Sequence, residues 1–185
     1  TIAHAGYMMI GLAAVTSSAS INETVTGPTT VLFYLVGYGV TNFLAFFGVL
    51  AVTTKTGSEL IDDFSGISTR SPLLALILGL ALLSLTGIPP TVGFMAKLFI
   101  FTSAMNAGLT WLVLLGLLNS VASAYYYLRI IRNMYSGKTE SATMIPISST
   151  LRIALGILAV GVIALGVWPS GLFHIADLAS SSILR

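Results

Sequence analysis

The sequence predicts an all-α fold, a polytopic transmembrane helix bundle with one discontinuous helix, and three observations predict it. Of 185 residues, 56% are apolar and only 8% are charged, with a mean hydropathy of +0.97; a soluble domain carries about a quarter charged residues on its water-facing surface. The apolar residues fall into stretches close to the roughly 20 needed to cross about 30 Å of hydrocarbon. One of those stretches is cut by consecutive prolines. A soluble enzyme, a nucleic-acid binder and a disordered tail are excluded, and the lipid bilayer is the expected surrounding. The net charge is only +2, so the pI of about 9.0 says less than where the charges sit. With no cysteine, disulfides, iron–sulfur clusters and thiolate zinc sites are not available. His4 and His174 lie too far apart in sequence for a local metal motif. No metal and no cofactor is expected in this chain, and it is not expected to carry electrons.

Taken in order, residues 1–16 form the first apolar segment. Thr1-Ile2-Ala3-His4-Ala5-Gly6-Tyr7 reads as the middle of a helix, with no basic region ahead of it to suggest a signal peptide. The chain is therefore expected to be the C-terminal part of a longer polytopic protein. Residues 29–52, 71–105, 109–131 and 151–168 supply four further crossings, making a transmembrane bundle over 1–169. The intervening loops carry Glu23; then Lys55, Glu59, Asp62, Asp63 and Arg70; then Lys138 and Glu140. After Trp168-Pro169, residues 170–185 mix Leu172, Phe173, Ile175 and Leu178 with serines, His174 and Asp177. That mixture suits a helix lying in the interface.

The segment 71–105 decides the topology. Gly87-Ile88-Pro89-Pro90-Thr91-Val92-Gly93 interrupts it, and two prolines cannot continue an α-helix, because they lack amide donors and clash with the preceding turn. It is either a hairpin of two spans or one broken crossing. Under a single crossing, Lys55, Arg70, Arg129, Arg132, Lys138 and Arg152 share one side and only Arg185 lies opposite. Cytoplasmic loops are rich in Lys and Arg, so the broken crossing is preferred, with the C-terminus on the outer side.

Lys97 is the only charged residue between Arg70 and Arg129. About nine residues from the end of its half-helix, it lies roughly 14 Å deep. Intramembrane ionisable residues mark ion pathways, and broken helices mark ion sites. The competing reading is a lysine that snorkels or holds a static ion pair. Tyr34, Tyr38 and Thr41 share one helical face, with Asn42 beside them; this stripe either lines water or bonds a neighbouring helix. Asn119, Ser123 and Tyr126 share another face, with Asn119 the candidate water-holder. Tyr125-Tyr126-Tyr127 before Arg129 reads as an aromatic belt. His4, in an apolar helix, is either a proton relay or a neutral histidine bonded to its neighbour.

The run from Leu83 through Gly87, Pro89, Pro90 and Gly93 to Lys97 closely resembles the broken-helix motif of the antiporter-like subunits of respiratory complex I. Residues 1–7, Asp63-Phe64-Ser65-Gly66-Ile67, Arg70-Ser71-Pro72, Asn119-Ser120-Val121 and Tyr125-Tyr126-Tyr127-Leu128-Arg129 are similar to the N-subunit branch of that family. The resemblance implies an antiporter-like subunit fold of fourteen helices, of which this chain would supply about the last five crossings. It implies that Lys97 passes protons outward, as part of a proton-translocating NADH–quinone oxidoreductase in a bacterial plasma (inner) membrane. The partners would be other membrane-arm subunits of the complex, and NAD, FMN, iron–sulfur clusters and quinone would sit in other subunits. Larger antiporter-like subunits carry His and Lys where this chain has Tyr34, Tyr38, Thr41 and Asn42. Cation/proton antiporters and membrane-bound hydrogenases share the motif and stand as alternatives, as does a membrane scaffold in which Lys97 holds an ion pair.

Overall fold

The computed structural model describes residues 2–17, 27–57, 60–136 and 148–183; Glu23, Glu59, Lys138, Glu140 and Arg185 lie outside the described residues. Those residues form α1 (Ile2–Ser17), α2 (Gly27–Thr56), a 3₁₀ turn (Ile61–Phe64), α3 (Ile67–Arg70), α4 (Pro72–Thr86), α5 (Val92–Asn106), α6 (Thr110–Ser136), α7 (Ser149–Val167) and α8 (Ser170–Ile183). No strand occurs among them. By length and composition α2, α6 and α7 can each cross a membrane, while α1, α4 and α5 are shorter apolar helices.

The helix ends follow local chemistry. α4 starts with Pro72 in its first turn, where the missing amide costs nothing. The Ser148 hydroxyl accepts from the Leu151 amide at 3.3 Å and caps α7. α7 stops at Trp168, whose following proline disfavours helical backbone. α2 and α6 both run a turn beyond the segments 29–52 and 109–131 that hydropathy outlines, because polar residues do not break a helix. Thr54, for example, continues α2 and turns its hydroxyl onto the Leu50 carbonyl at 2.6 Å.

α2 is the axis of the bundle, packing against α1, α4, α5, α7 and α8. Its contacts with the interrupted segment run in strict order. Phe33 meets Phe99 edge-on, Gly37 faces Val92, Thr41 bonds Ser84, and Gly48 faces Leu78. α4 and α5 thus lie end to end, antiparallel to α2. Gly37 is required for close approach, since a Cβ there would lie 2.8 Å from Val92 Cγ2, whereas Gly39 has open space. Phe33, Leu44, Val52, Leu74, Val92, Ile100, Leu155 and Val162 make the fully buried core. Outside it, Phe43, Phe46, Leu114, Leu118, Val121, Ile157 and Val160 are exposed, the surface of a chain whose outer face meets lipid or other helices rather than water.

Candidate functional site

The break is narrower than the motif. α4 ends at Thr86 and α5 already begins at Val92, so Gly93 lies inside its first turn. Gly87 caps α4 in the left-handed region, at φ 90°, a conformation that suits glycine. Pro89 and Pro90 are exposed in the turn. A Cβ on Gly93 would collide with the Ser84 carbonyl, and one on Gly166 of α7 with the Pro90 carbonyl. Backbone therefore packs directly on backbone around the break, from both sides.

The last four carbonyls of a helix have no partner within it. In α4, Leu83 O accepts from the Gly87 and Ile88 amides, and Ser84 O from Gly87. The remaining two are taken by Lys97, whose Nζ donates to Thr86 O at 2.6 Å and to Leu85 O at 3.2 Å. Its third bond goes to Ser120 Oγ of α6 at 3.0 Å, and the amine lies 5.0 Å from the centre of the Tyr7 ring. Lys97 is only 6% exposed. An ammonium here is held by the negative end of the α4 dipole, two carbonyls and an aromatic face. No carboxylate pairs with it among the described residues. Gly87 also makes room for it, since a Cβ there would fall 2.9 Å from Lys97 Cδ.

His4 lies beside this end of α4, lining a cavity with Ser84 and Leu85. Its Nδ1 lies 2.6 Å from the Tyr34 hydroxyl, its Nε2 3.5 Å from that of Tyr127, and its ring stacks on Tyr38 at 4.8 Å. A cavity of about 10 Å³ is lined by His4, Tyr34, Tyr38, Thr41, Ser84, Leu85, Gly93 and Ala96. That is the room for about one water molecule, and the lining offers it several polar partners.

Of the residues singled out in the sequence, the structure gathers His4, Tyr38, Thr41, Gly87, Gly93 and Lys97 around one locus. Asn42 is half-buried and does not line the cavity. Asn119 is exposed, beside the Tyr7 hydroxyl at the edge of the cluster. His174 and Asp177 belong elsewhere: Asp177 accepts from the Thr29 hydroxyl at 3.2 Å and helps dock α8 on the start of α2. Tyr127 departs from the aromatic-belt expectation. Tyr125 is 73% exposed, but Tyr127 is buried against His4. Ser120, Tyr7 and Ser84 are site residues that sequence reasoning passed over. The face of α6 that meets Lys97 at Ser120 also carries Gly116, Ser123 and Tyr127; it shares Ser123 with the Asn119–Ser123–Tyr126 stripe and is centred about a sixth of a turn from it. Small and hydroxylated residues at 116, 120 and 123 were the available signal.

The helical bundle with its interrupted segment has the fold of antiporter-like membrane subunits. The chain belongs to the NADH:quinone oxidoreductase/Mrp antiporter transmembrane family, whose model matches residues 1–123, and it is an integral membrane protein. Over its whole length it is 39% identical to NADH-quinone oxidoreductase subunit N of Dehalococcoides mccartyi, and it spans 38% of that relative's length. It is similar to a chain of respiratory complex I from Thermus thermophilus with bound aureothin, at a TM-score of 0.69 and 29% identity over 92% of this chain and 36% of that one. A chain of the Mrp complex from Dietzia sp. DQ12-45-1b shares the fold at a TM-score of 0.80, with 22% identity over 96% of this chain and 40% of that one.

Proposed function

We propose that this chain works in a proton-translocating membrane subunit of a bacterial NADH–quinone oxidoreductase, with Lys97 as the group that carries the proton. The observation behind the reading is the lysine itself: buried, held by neutral carbonyls and a hydroxyl, and without a carboxylate among the described residues. A static ion pair within the described residues would need that carboxylate. The His4 ring and the water-sized cavity beside Leu85 offer a loading path, with Tyr38 and Thr41 lining it.

In this reading the subunit is not itself redox-active. NAD, FMN, iron–sulfur clusters and quinone belong to other subunits, and quinone reduction reaches Lys97 electrostatically through neighbouring membrane-arm subunits. The interrupted segment crosses once. The ordered contacts along α2 favour this, and they put Lys55, Arg70, Arg129, Arg132 and Arg152 toward one end of the bundle, away from α8. That end is cytoplasmic by the positive-inside rule, and the C-terminus is outside. The named relative at 39% identity, against 22% for the Mrp chain, favours quinone oxidoreduction over cation antiport.

The test places the Lys97→Ala variant of the full-length protein in its assembled complex in sealed vesicles. NADH-driven quinone reduction and proton uptake are recorded together. Both are expected to fall steeply with assembly intact. Wild-type rates and stoichiometry would return Lys97 to a structural role. Wild-type transport driven by a sodium gradient without NADH would instead assign the chain to an antiporter.

A further inference from the structure

Resting on that reading, we infer that Ser120 is the partner through which Lys97 releases its proton, so that the exit opens toward α6 and not through the broken helix. An ammonium has three N–H donors, and Lys97 spends them on Leu85 O, Thr86 O and Ser120 Oγ. A neutral amine has only two, and its lone pair needs a donor. Carbonyl oxygens only accept. Of the three partners, Ser120 alone can reverse its role, accepting from the charged amine and donating to the neutral one.

The reversal is also the transfer. The Nζ–H bond toward Ser120 breaks as an Oγ–H bond forms, and the proton previously on Oγ passes to a water molecule. The products are a neutral amine, a hydronium ion and an intact serine whose hydroxyl now points at the amine. Nothing else is consumed. The water's place is marked by Tyr7, which is 1% exposed yet has a hydroxyl with no hydrogen-bond partner among the described residues. Asn119, Ser120 and Ser123 lie within reach of that hydroxyl. Buried hydroxyls are satisfied by protein or by ordered water, and the single hydroxyl proton of Ser123 is spent on the Asn119 and Ser120 carbonyls, which it reaches at 2.9 Å each, so Ser123 does not donate to Tyr7. Asn119 is exposed at the edge of this pocket.

The experiment compares Ser120→Ala, Ser120→Cys and Ser120→Thr with Lys97→Ala, each in the full-length protein and the assembled complex. Ser182→Ala, at an exposed position of α8, is the control. NADH-driven proton uptake is expected to fall about a hundredfold in Ser120→Ala, the scale of a lost proton-transfer group. Ser120→Thr should restore it, and Ser182→Ala should leave it unchanged. The solvent deuterium effect should rise in Ser120→Ala, because proton release now limits turnover; a purely structural loss would lower the active fraction without changing that effect. Should the alanine variant fail to assemble, Ser120→Cys carries the test: similar in size but a weaker donor and acceptor, it is expected to assemble and pump slowly. Wild-type pumping by assembled Ser120→Ala or Ser120→Cys, with Lys97→Ala inactive, overturns the role of Ser120 alone. Wild-type pumping by Lys97→Ala overturns the reading beneath it.

Discussion

Two proline-punctuated junctions in this chain have opposite fates. The first joins α4 to α5 through Gly87, Pro89 and Pro90; the second joins α7 to α8 through Trp168 and Pro169. Both stop a helix just ahead of proline, and they lie close in space, with Gly166 at the end of α7 packed on Pro90 and Thr91. At the second, Trp168 donates back to Ala164 O at 2.8 Å, its side chain is 76% exposed, and α8 continues along the surface of α2. At the first, two released carbonyls face a buried lysine. Prolines make a break. A charged group brought onto the carbonyls it frees, away from water, makes a site.

The comparison can be broken by substitutions that differ only in where a methyl group lands. Gly93→Ala should have the largest effect: its Cβ would enter the Ser84 carbonyl, and backbone cannot yield as a side chain can. Overpacking of this kind costs about 2–3 kcal/mol, so little assembled complex is expected; normal assembly would mean that α4 and α5 are not pressed together as described. Gly87→Ala comes next. A left-handed alanine costs about 1–2 kcal/mol, and its Cβ also pushes on Lys97. Proton uptake per assembled complex should therefore fall more than thermal stability does, and an equal loss of both would argue that Gly87 serves only the cap.

Smaller effects belong to the second junction. Thr29 ties α8 to α2 through Asp177 and through Ser180 at 2.8 Å. Thr29→Val should lower stability by about 1 kcal/mol, the scale of a buried hydrogen bond, and leave pumping untouched. A pumping defect there would connect the tail to the mechanism. Gly156→Ala, in α7 with nothing within 4 Å of its Cβ, should be the mildest. It is expected to stabilise by about 0.5 kcal/mol through helix propensity, measurable as a small rise in melting temperature, and a fall would reveal a neighbour packed on that face.

Much of the fold was legible in the sequence because the controlling signals are local. Apolar runs mark the helices, and Gly-Ile-Pro-Pro stops one whatever surrounds it. Lys97 stood out because nothing else between Arg70 and Arg129 carries charge. Helix ends were less legible: hydropathy falls near Val52 and Ile131 while the hydrogen-bond ladder continues. The partners of Lys97 were not legible at all. Its acceptors at Leu85 and Thr86 are backbone atoms, which no side-chain pattern encodes. Ser120 and Tyr127 are set by the rotation of α6 against α1 and α5, a tertiary quantity; rotated by a third of a turn, Asn119 and Tyr126 would take their places. His4, undecided in sequence between relay and static bond, has both ring nitrogens near tyrosine hydroxyls, and the sequence offered no means of pairing it with Tyr34 and Tyr127.

The central claim is that Lys97 must become neutral, not merely be positive, and Lys97→Arg addresses it most directly. Arginine keeps the charge and the donors to the α4 carbonyls but does not deprotonate in proteins. With assembly verified on the same vesicles, NADH-driven proton uptake is expected to be lost as completely as in Lys97→Ala. Proton uptake by Lys97→Arg at the wild-type rate would contradict the account, showing that a fixed charge at the broken helix is all that the machine requires.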